Sequence, residues 1–276
     1  MPKFLKDNTD RNRTSPFAFT GNKFEFRMPG SDVNLADCNM ILNTAMAKGL
    51  KDFADAMGDV EGAEFEKKAI KYIKKTLTDH QRIIFNGNGY SEEWEKEAER
   101  RGLANNRNTA EALPCYVSQK SLDLFAEFDV LTEAEVRSRY EVKLEKYNKL
   151  LNIEARVMIR MARRTYLPAI SDYMAELASN ITTVKAALSG ADMTEHEKLL
   201  SIILSGFNRA ADCVRTLVKL HDATEAIEDP QEQANAYAEK VIPAMEALRK
   251  EIDDLECIVE RDFWPVPTYN DMLFYA

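Results

Sequence analysis

The chain has 276 residues, of which 30% are charged and 45% hydrophobic, with a net charge of −9 and only ten glycines. The acidic balance argues against nucleic acid as the main partner, because phosphate binding depends on clustered Lys and Arg. No apolar run reaches the roughly 20 residues that span a bilayer, and the first residues lack the hydrophobic core of a signal peptide. We therefore expect a cytoplasmic protein without a membrane partner.

The first predicted element is a short strand, Phe24-Glu25-Phe26-Arg27. Side chains alternate along a strand, so both rings point to one face and Glu25 and Arg27 to the other. A guanidinium binds carboxylate or phosphate as a rigid fork, and a carboxylate can ligate Mg²⁺. The polar face therefore suits a site for a metal and anionic oxygens, and the alternative is a surface ion pair on an amphipathic strand.

The chain after this strand is predicted to be helical. Apolar residues recur at spacings of three and four from Val33 to Met57, which predicts a helix packed on the sheet remnant, and residues 64–80 form a second helix. From about residue 132 the sequence predicts an antiparallel bundle of long helices with short connections. Its helical runs are predicted at 132–180, 194–228 and 230–261. The predicted fold class is mainly α, with a short β remnant before the bundle.

Helix starts and interruptions are marked by particular residues. Side-chain caps are predicted at Ser91, at Thr132 with Glu135, at Thr194 with Glu197, and at Asp229 before Pro230. Pro168 and Pro243 fall inside helical patterns and should kink or divide them, because proline lacks the N–H of the helical hydrogen bond.

Other polar features have ordinary interpretations. Cys38, Cys115, Cys213 and Cys257 form no Cys-x-x-Cys pair, so we expect reduced core thiols. The histidines His80, His196 and His221 lack partners at ligand spacing, which predicts surface or structural roles.

Two further segments also carry competing interpretations. Asn86-Gly87-Asn88-Gly89 is interpreted as a turn rather than a phosphate cradle, because no Gly-Lys-[Ser/Thr] follows it. Trp264-Pro265-Val266-Pro267 resembles a polyproline ligand but is interpreted as an ordered segment packed on the body.

Several segments together resemble one family. The stretch DRNRTSPFAFTGNKFEFRMPGS contains Asn-Arg-Thr-Ser followed by Phe-Glu-Phe-Arg, and it is similar to the end of the catalytic domain of type III glutamine synthetases. The segments RIIFNGNGYSEEW (82–94), TAEALPCYVSQKSLDLF (109–125) and FWPVPTYNDMLF (263–274) resemble the C-terminal region of the same family. The resemblance covers essentially all 276 residues.

The resemblance implies roles for individual residues. Glu25 matches a glutamate that ligates the metal ion on the nucleotide side of the active site. Arg27 matches the arginine that contacts the substrate glutamate and its acyl phosphate, and Arg13 matches the arginine that lies over the phosphates during transfer. Lys23 falls where other branches place an ATP-contacting arginine, so the charge remains but the fork is lost.

One phosphate contact departs from the family pattern. A further arginine of the type I pattern would fall at Ala18, and Arg11 is the candidate substitute, which makes it a predicted nucleotide-binding residue. The shorter loop between the two motifs leaves this alignment open.

The implied function is that of an ATP-dependent glutamate–ammonia ligase making glutamine through γ-glutamyl phosphate, with ATP and Mg²⁺ or Mn²⁺ as cofactors. The implied partners are glutamate, ammonia and further copies of the chain in a ring. Residues 1–60 would be the end of the catalytic domain, 61–131 a helical connecting region and 132–276 the bundle and tail. We expect this C-terminal portion alone to be inactive, because the family's other metal ligands lie upstream. The alternative is a non-catalytic helical interaction or oligomerisation module.

Overall fold

The computed structural model describes residues 17–19, 24–27, 30, 33–85 and 87–273. Strands β1 (Phe17–Phe19) and β2 (Phe24–Phe26) pair antiparallel, with Ala18 opposite Glu25. Within the described ranges these are the only strands and the rest of the regular structure is helical. The predicted mainly α fold with a short β remnant is therefore confirmed.

The helices follow the two strands along the chain. The α-helices of the described ranges are α1 (Ala36–Met57), α2 (Gly62–Asp79), α3 (Glu92–Arg100), α4 (Thr109–Ala112), α5 (Gln119–Glu127), α6 (Glu133–Met161), α7 (Leu167–Ala187), α8 (Thr194–Glu225), α9 (Pro230–Ala236), α10 (Ile242–Glu256) and α11 (Tyr269–Leu273). Short 3-10 helices lie at Gln81–Ile83, Leu113–Val117 and Arg261–Phe263, and π-helical turns at Ala162–Tyr166 and Tyr237–Val241. No helix of the described residues is both long and apolar enough to cross a bilayer.

The chain divides into two compact units. The first contains Met1–Arg107 and Cys115–Arg137, and the second contains Asn108–Pro114 and Ser138–Ala276. The sequence analysis divided the chain at residues 60 and 131 because of its resemblance to a catalytic domain. The two compact units do not test that division, which stays a prediction.

In the first unit, α1 is joined to its neighbours by aromatic contacts and an ion pair. The ring of Phe53 on α1 meets the rings of Phe65 and Tyr72 on α2 edge-on, at centroid distances of 6.3 and 5.4 Å. On its other side α1 reaches α5 through the ion pair between Lys48 and Glu127, 3.1 Å apart. The principal partners of α1 are thus α2 and α5, whereas the sequence had placed this helix on the sheet remnant.

The second unit is the predicted bundle. Helix α8 makes its most extensive contacts with α7 and α10. Pairs along α8 and α10 run in opposite directions, since Gly206 faces Leu255 and Arg209 binds Glu251. The core side chains with no more than 3% exposure include Ile170, Ile203, Leu217, Tyr237 and Leu248. The predicted antiparallel bundle is therefore confirmed.

Both interrupting prolines are preceded by a π-helical turn. The turn Ala162–Tyr166 ends two residues before Pro168, and the turn Tyr237–Val241 ends two residues before Pro243. A proline inside an α-helix loses one hydrogen bond and its ring clashes with the carbonyl four residues earlier. A π turn bonds residue i to i+5 and places the neighbouring carbonyls differently. Each of the two helical runs is thus divided by one π turn, and α-helix continues on both sides of it.

Three of the four predicted caps are confirmed. Thr132 and Glu135 form the reciprocal capping box, in which the Thr132 amide donates to Glu135 Oε2 at 2.8 Å and the Glu135 amide to Thr132 Oγ1 at 3.3 Å. Ser91 Oγ accepts from the Trp94 amide at 3.4 Å, and Asp229 Oδ1 accepts from the Glu232 amide at 2.8 Å.

The capping box predicted at Thr194 is wrong. Thr194 is the first helical residue of α8, and its amide donates to Asp192 Oδ1 at 3.0 Å. The carboxylate of Glu197 instead forms an ion pair with Lys185 of the preceding helix. The Thr-x-x-Glu pattern therefore forms no capping box here, because Asp192 accepts from the Thr194 amide and Lys185 pairs with Glu197.

The cysteines and the tail complete the comparison with the sequence. All four thiols are free, as predicted, and Cys38 and Cys213 are half-buried. The core position is wrong for Cys115 and Cys257, which are exposed. The tail segment is ordered and packed, as predicted, since Trp264 is buried with its ring 5.3 Å from that of Tyr166.

Candidate functional site

Strand β2 carries Glu25, which is predicted to bind a metal ion, and is followed directly by Arg27, which is predicted to bind substrate. Phe24 and Phe26 are 49% and 47% exposed, whereas the side chains of Glu25 and Arg27 are only 23% and 20% exposed. Alternation along the strand therefore places the polar pair on the more protected face and the rings on the more exposed one. This distribution is the reverse of an amphipathic surface strand, which would bury its rings.

The polar pair is close but loosely bonded. Arg27 Nη2 donates to Glu25 Oε2 at 3.3 Å, which is longer than the 2.7–2.9 Å typical of a charge-assisted hydrogen bond. A guanidinium is a type of group that binds oxyanions, and a carboxylate is a type of group that binds divalent cations.

The backbone of the hairpin gives one further constraint. Ala18 on β1 lies directly opposite Glu25, the predicted metal ligand. Ala18 carries no charge, so the arginine of the type I pattern would be absent if it aligns with this position. The candidates Arg11, Arg13 and Lys23 lie outside the described residues, and their predicted roles stay predictions.

A second polar cluster lies in the bundle and was not predicted. The ring of His221 is buried, with Nδ1 3.2 Å from Asp222 Oδ1 and Nε2 3.2 Å from Asn152 Oδ1. His221, Asp222 and Glu225 place one ligand atom each within 4.8 Å of one another. The prediction that this histidine lacks partners at ligand spacing is therefore wrong. His80 and His196 are exposed, as expected of surface histidines.

Glu225 links this cluster to Arg156 and Asn152 of α6. Arg156 Nη2 donates to Glu225 Oε1 at 2.5 Å, and Asn152 Nδ2 donates to the same oxygen at 3.2 Å. The hydrogen bond from Arg156, followed by that from Asn152, lowers the pKa of Glu225 below its usual value. The sequence signal was His-Asp-x-x-Glu on one helix, but its polar partners come from a helix about seventy residues earlier.

Part of the helical region is similar to a known protein family. Residues 68–185 match the family model described as the glutamine synthetase C-terminal domain. This part of the chain is therefore similar to a glutamine synthetase C-terminal domain. The predicted resemblance to the C-terminal portion of this family is thereby confirmed.

Curated relatives extend the similarity to the whole chain. It is 36% identical over 282 residues to a glutamine synthetase of Bacteroides fragilis (strain YCH46), a match that covers 99% of this chain and 38% of that protein. It is also 36% identical to the type-3 glutamine synthetase of Dictyostelium discoideum, over 99% of this chain and 38% of that protein. A glutamine synthetase of Butyrivibrio fibrisolvens is 36% identical over 98% of this chain and 39% of its own length. The chain thus spans well under half the length of these relatives.

Proposed function

We propose that this chain forms part of an ATP-dependent glutamate–ammonia ligase and supplies one edge of its active site. The observation that carries the proposal is the placement of Glu25 and Arg27 side by side on the protected face of β2. Support comes from the relatives named glutamine synthetase, whose similarity runs through this strand as well as the helical domain.

The proposed chemistry has two steps. The γ-phosphoryl group of ATP passes to the side-chain carboxylate of glutamate, giving ADP and γ-glutamyl phosphate. Ammonia then attacks the acyl carbon, phosphate leaves, and the nitrogen loses a proton to give glutamine. Phosphoryl transfer depends mainly on positioning and charge neutralisation, which divalent cations and guanidinium groups provide.

The residues of β2 have separate roles in this proposal. Glu25 supplies one hard oxygen ligand to Mg²⁺ or Mn²⁺, and this fits the preference of these ions for carboxylates. Arg27 holds the glutamate carboxylate and then the acyl phosphate through its planar fork. Arg13, with Arg11 and Lys23, would neutralise the nucleotide phosphates.

One carboxylate is not a complete metal site. Mg²⁺ requires six oxygen ligands, so other carboxylates, phosphate oxygens and water must join Glu25. This chain spans 38% of the relative from Bacteroides fragilis. We propose that the active enzyme is likewise a longer protein, that it is cytoplasmic, and that it assembles as a ring of identical subunits. The 276-residue chain alone should not make glutamine.

A matched pair of variants of the full-length protein tests the two roles. Glu25→Ala should abolish ATP-dependent glutamine formation, and raising the Mn²⁺ concentration should restore little of it. Arg27→Lys keeps the charge but loses the fork, so we expect a raised KM for glutamate and a lower kcat with an unchanged metal requirement. Glu133→Ala is the control, because Glu133 pairs with Arg137 on an exposed helix. Near-normal turnover of Glu25→Ala would refute the metal-ligand role.

A second candidate function is favoured by exposed apolar side chains on α6. Val142, Leu150 and Ile153 are 59%, 47% and 58% exposed, and a surface helix seldom clusters such residues without a partner. A helical interaction or oligomerisation module would use this face and need no catalysis. Glutamine formation by the full-length protein separates the candidates, because only the ligase requires it. Sedimentation with and without Ile153→Glu then tests whether this face of α6 holds an assembly together, as the module predicts.

A further inference from the structure

A groove on the second unit has apolar walls. It lies between α6 and α10, with part of the tail as a further wall, and its volume is about 650 Å³. Four methionines line it, Met158, Met161, Met245 and Met272. Methionine side chains adapt to irregular partners and are frequent in grooves that bind apolar helices. The groove therefore suits an apolar partner.

The groove is open to solvent and continues the exposed apolar face of α6. Ile153, Val157 and Met272 line it and are 58%, 37% and 60% exposed. Contiguous apolar surface of this kind marks a contact with another molecule, because burying it from water is favourable.

The rim of the groove is acidic on both sides. Glu154 lies on the α6 wall, and Asp253 and Glu256 lie on the α10 wall. Arg249 pairs with Asp253 at 3.2 Å. Glu154 and Glu256 form no ion pair with any residue that the structure describes. The rim therefore favours a partner that carries positive charge beside its apolar side chains.

Helix α2 of the first unit has an exposed apolar stripe. It packs on α1 through the rings of Phe65 and Tyr72. Ile70 and Leu77 lie outside this contact and are 52% and 55% exposed. They are seven residues apart, which places them on one face of the helix, two turns from each other.

Lysines lie beside this stripe. Lys67, Lys71, Lys74 and Lys75 are exposed, and they form no ion pair within the described part of the chain. Helical spacings of three and four place the first three of them next to the two apolar side chains. The exposed face of α2 is thus apolar and positively charged, in a chain whose net charge is −9.

We propose that α2 of a second copy of the chain docks in the groove, with its lysines toward the acidic rim. The rise along α2 from Ile70 to Leu77 is about 10 Å. The rise along the α6 wall from Ile153 to Met161 is about 12 Å, so both apolar anchors fit within the groove. Amphipathic helices occupy apolar grooves in this way, through anchors spaced by up to seven residues.

The proposed contact joins two different surfaces of the same chain. A contact of this type is head-to-tail, and it builds a ring if successive copies close on one another. The inference rests on the proposed assembly of identical subunits, and it needs none of the ligase chemistry.

The test is sedimentation velocity of the full chain over a range of concentrations. The parent should associate as its concentration rises, and salt should weaken the association because the charges are exposed. Leu77→Glu alters the α2 face and Ile153→Glu alters the groove, and each should raise the dissociation constant more than about tenfold. Ile202→Glu is the matched control, because Ile202 is 57% exposed on α8 and belongs to neither surface. Its dissociation constant should equal that of the parent.

Mixing the two variants identifies what occupies the groove. Leu77→Glu keeps an intact groove and Ile153→Glu keeps an intact α2, so a mixture of both can form one native contact per pair. An equimolar mixture should therefore contain 1:1 complexes, although each variant alone is monomeric at the same concentration. Both variants change exposed side chains, and circular dichroism checks that each retains the helicity of the parent.

Three results would overturn the inference. The first is a parent chain that stays monomeric at every concentration. The second is an association that Leu77→Glu leaves unchanged, because another partner would then occupy the groove. The third is a mixture of the two variants that stays monomeric. Glutamine formation is measured separately, so a full-length protein that makes no glutamine would refute the ligase and leave this contact standing.

Discussion

The contact between α8 and α10 predicts an unusual response to a glycine substitution. Gly206 is buried on α8, and a Cβ atom added there would lie 2.8 Å from Leu255 Cδ2 and 3.2 Å from Leu255 Cγ. Gly49 on α1 is also helical, but a Cβ atom added there meets nothing within 4 Å. The two glycines form a matched pair, because both are helical but only Gly206 is closely packed.

The magnitudes follow from two opposing effects. Replacing glycine by alanine inside a helix stabilises it by about 1 kcal/mol, because alanine loses less backbone entropy. Inserting a methyl group into a well-packed core costs roughly 1–3 kcal/mol. Gly49→Ala should therefore raise the free energy of unfolding by about 1 kcal/mol. Gly206→Ala should leave it unchanged or lower it by up to about 2 kcal/mol.

The two tryptophans allow each unit to be followed separately. Trp94 lies in the first unit and Trp264 in the second, so Trp94→Phe leaves a fluorescence reporter for the bundle. Urea unfolding of Gly206→Ala in this background should show an unchanged or lower midpoint. In a Leu255→Ala background the steric cost disappears and the same substitution should stabilise. If Gly206→Ala in the wild-type core stabilises as much as Gly49→Ala does, the close approach of α8 and α10 is refuted.

Two more predictions concern a cap and a titrating group. Thr132→Ala should lower the free energy of unfolding by about 1 kcal/mol, because it removes the capping oxygen. Thr194→Ala should lower it less, because the amide of residue 194 still donates to Asp192. Equal losses of stability in urea unfolding would contradict the assigned caps. Hydrogen bonds from Arg100 and then Arg101 lower the pKa of Glu97 to about 2, so its stabilising effect is complete above about pH 4.3 and is lost as the pH falls toward about 2. The melting temperature of Glu97→Gln should therefore be lower than that of the parent at pH 7 and equal to it near pH 2. A difference in melting temperature that persists near pH 2 would refute this pKa assignment.

The bundle could be predicted because its helices are long. A period of 3.6 residues sustained over more than 20 residues gave the run 132–180, which the structure extends as α6 and α7 to residue 187. The run predicted from 194 begins at Thr194 and ends at Glu225, three residues early. Long periodic patterns average out local exceptions, so packing rarely overrides them.

The side-chain partners could not be predicted with the same success. The pattern Thr-x-x-Glu was read identically at Thr132 and Thr194, yet at Thr194 the competing groups Asp192 and Lys185 decide the result. The His221 cluster depends on Asn152, which is distant in sequence and is brought close only by the bundle. The placement of Glu25 and Arg27 on one face could be predicted, because side chains two residues apart on a strand share a face whatever the tertiary contacts are.

The two π turns also set how the bundle tolerates changes in length. Ala162 and Ile170 are both buried although they are eight residues apart, and the same holds for Ala236 and Ala244. Two α-helical turns contain only about 7.2 residues, so the wide turn absorbs nearly one residue and keeps the later helix in phase. A homologue that lacks Pro168 could lose one residue at this point and still present the face of α7 to the same core. An insertion or deletion of one residue elsewhere in α7 would rotate every later side chain by about 100°.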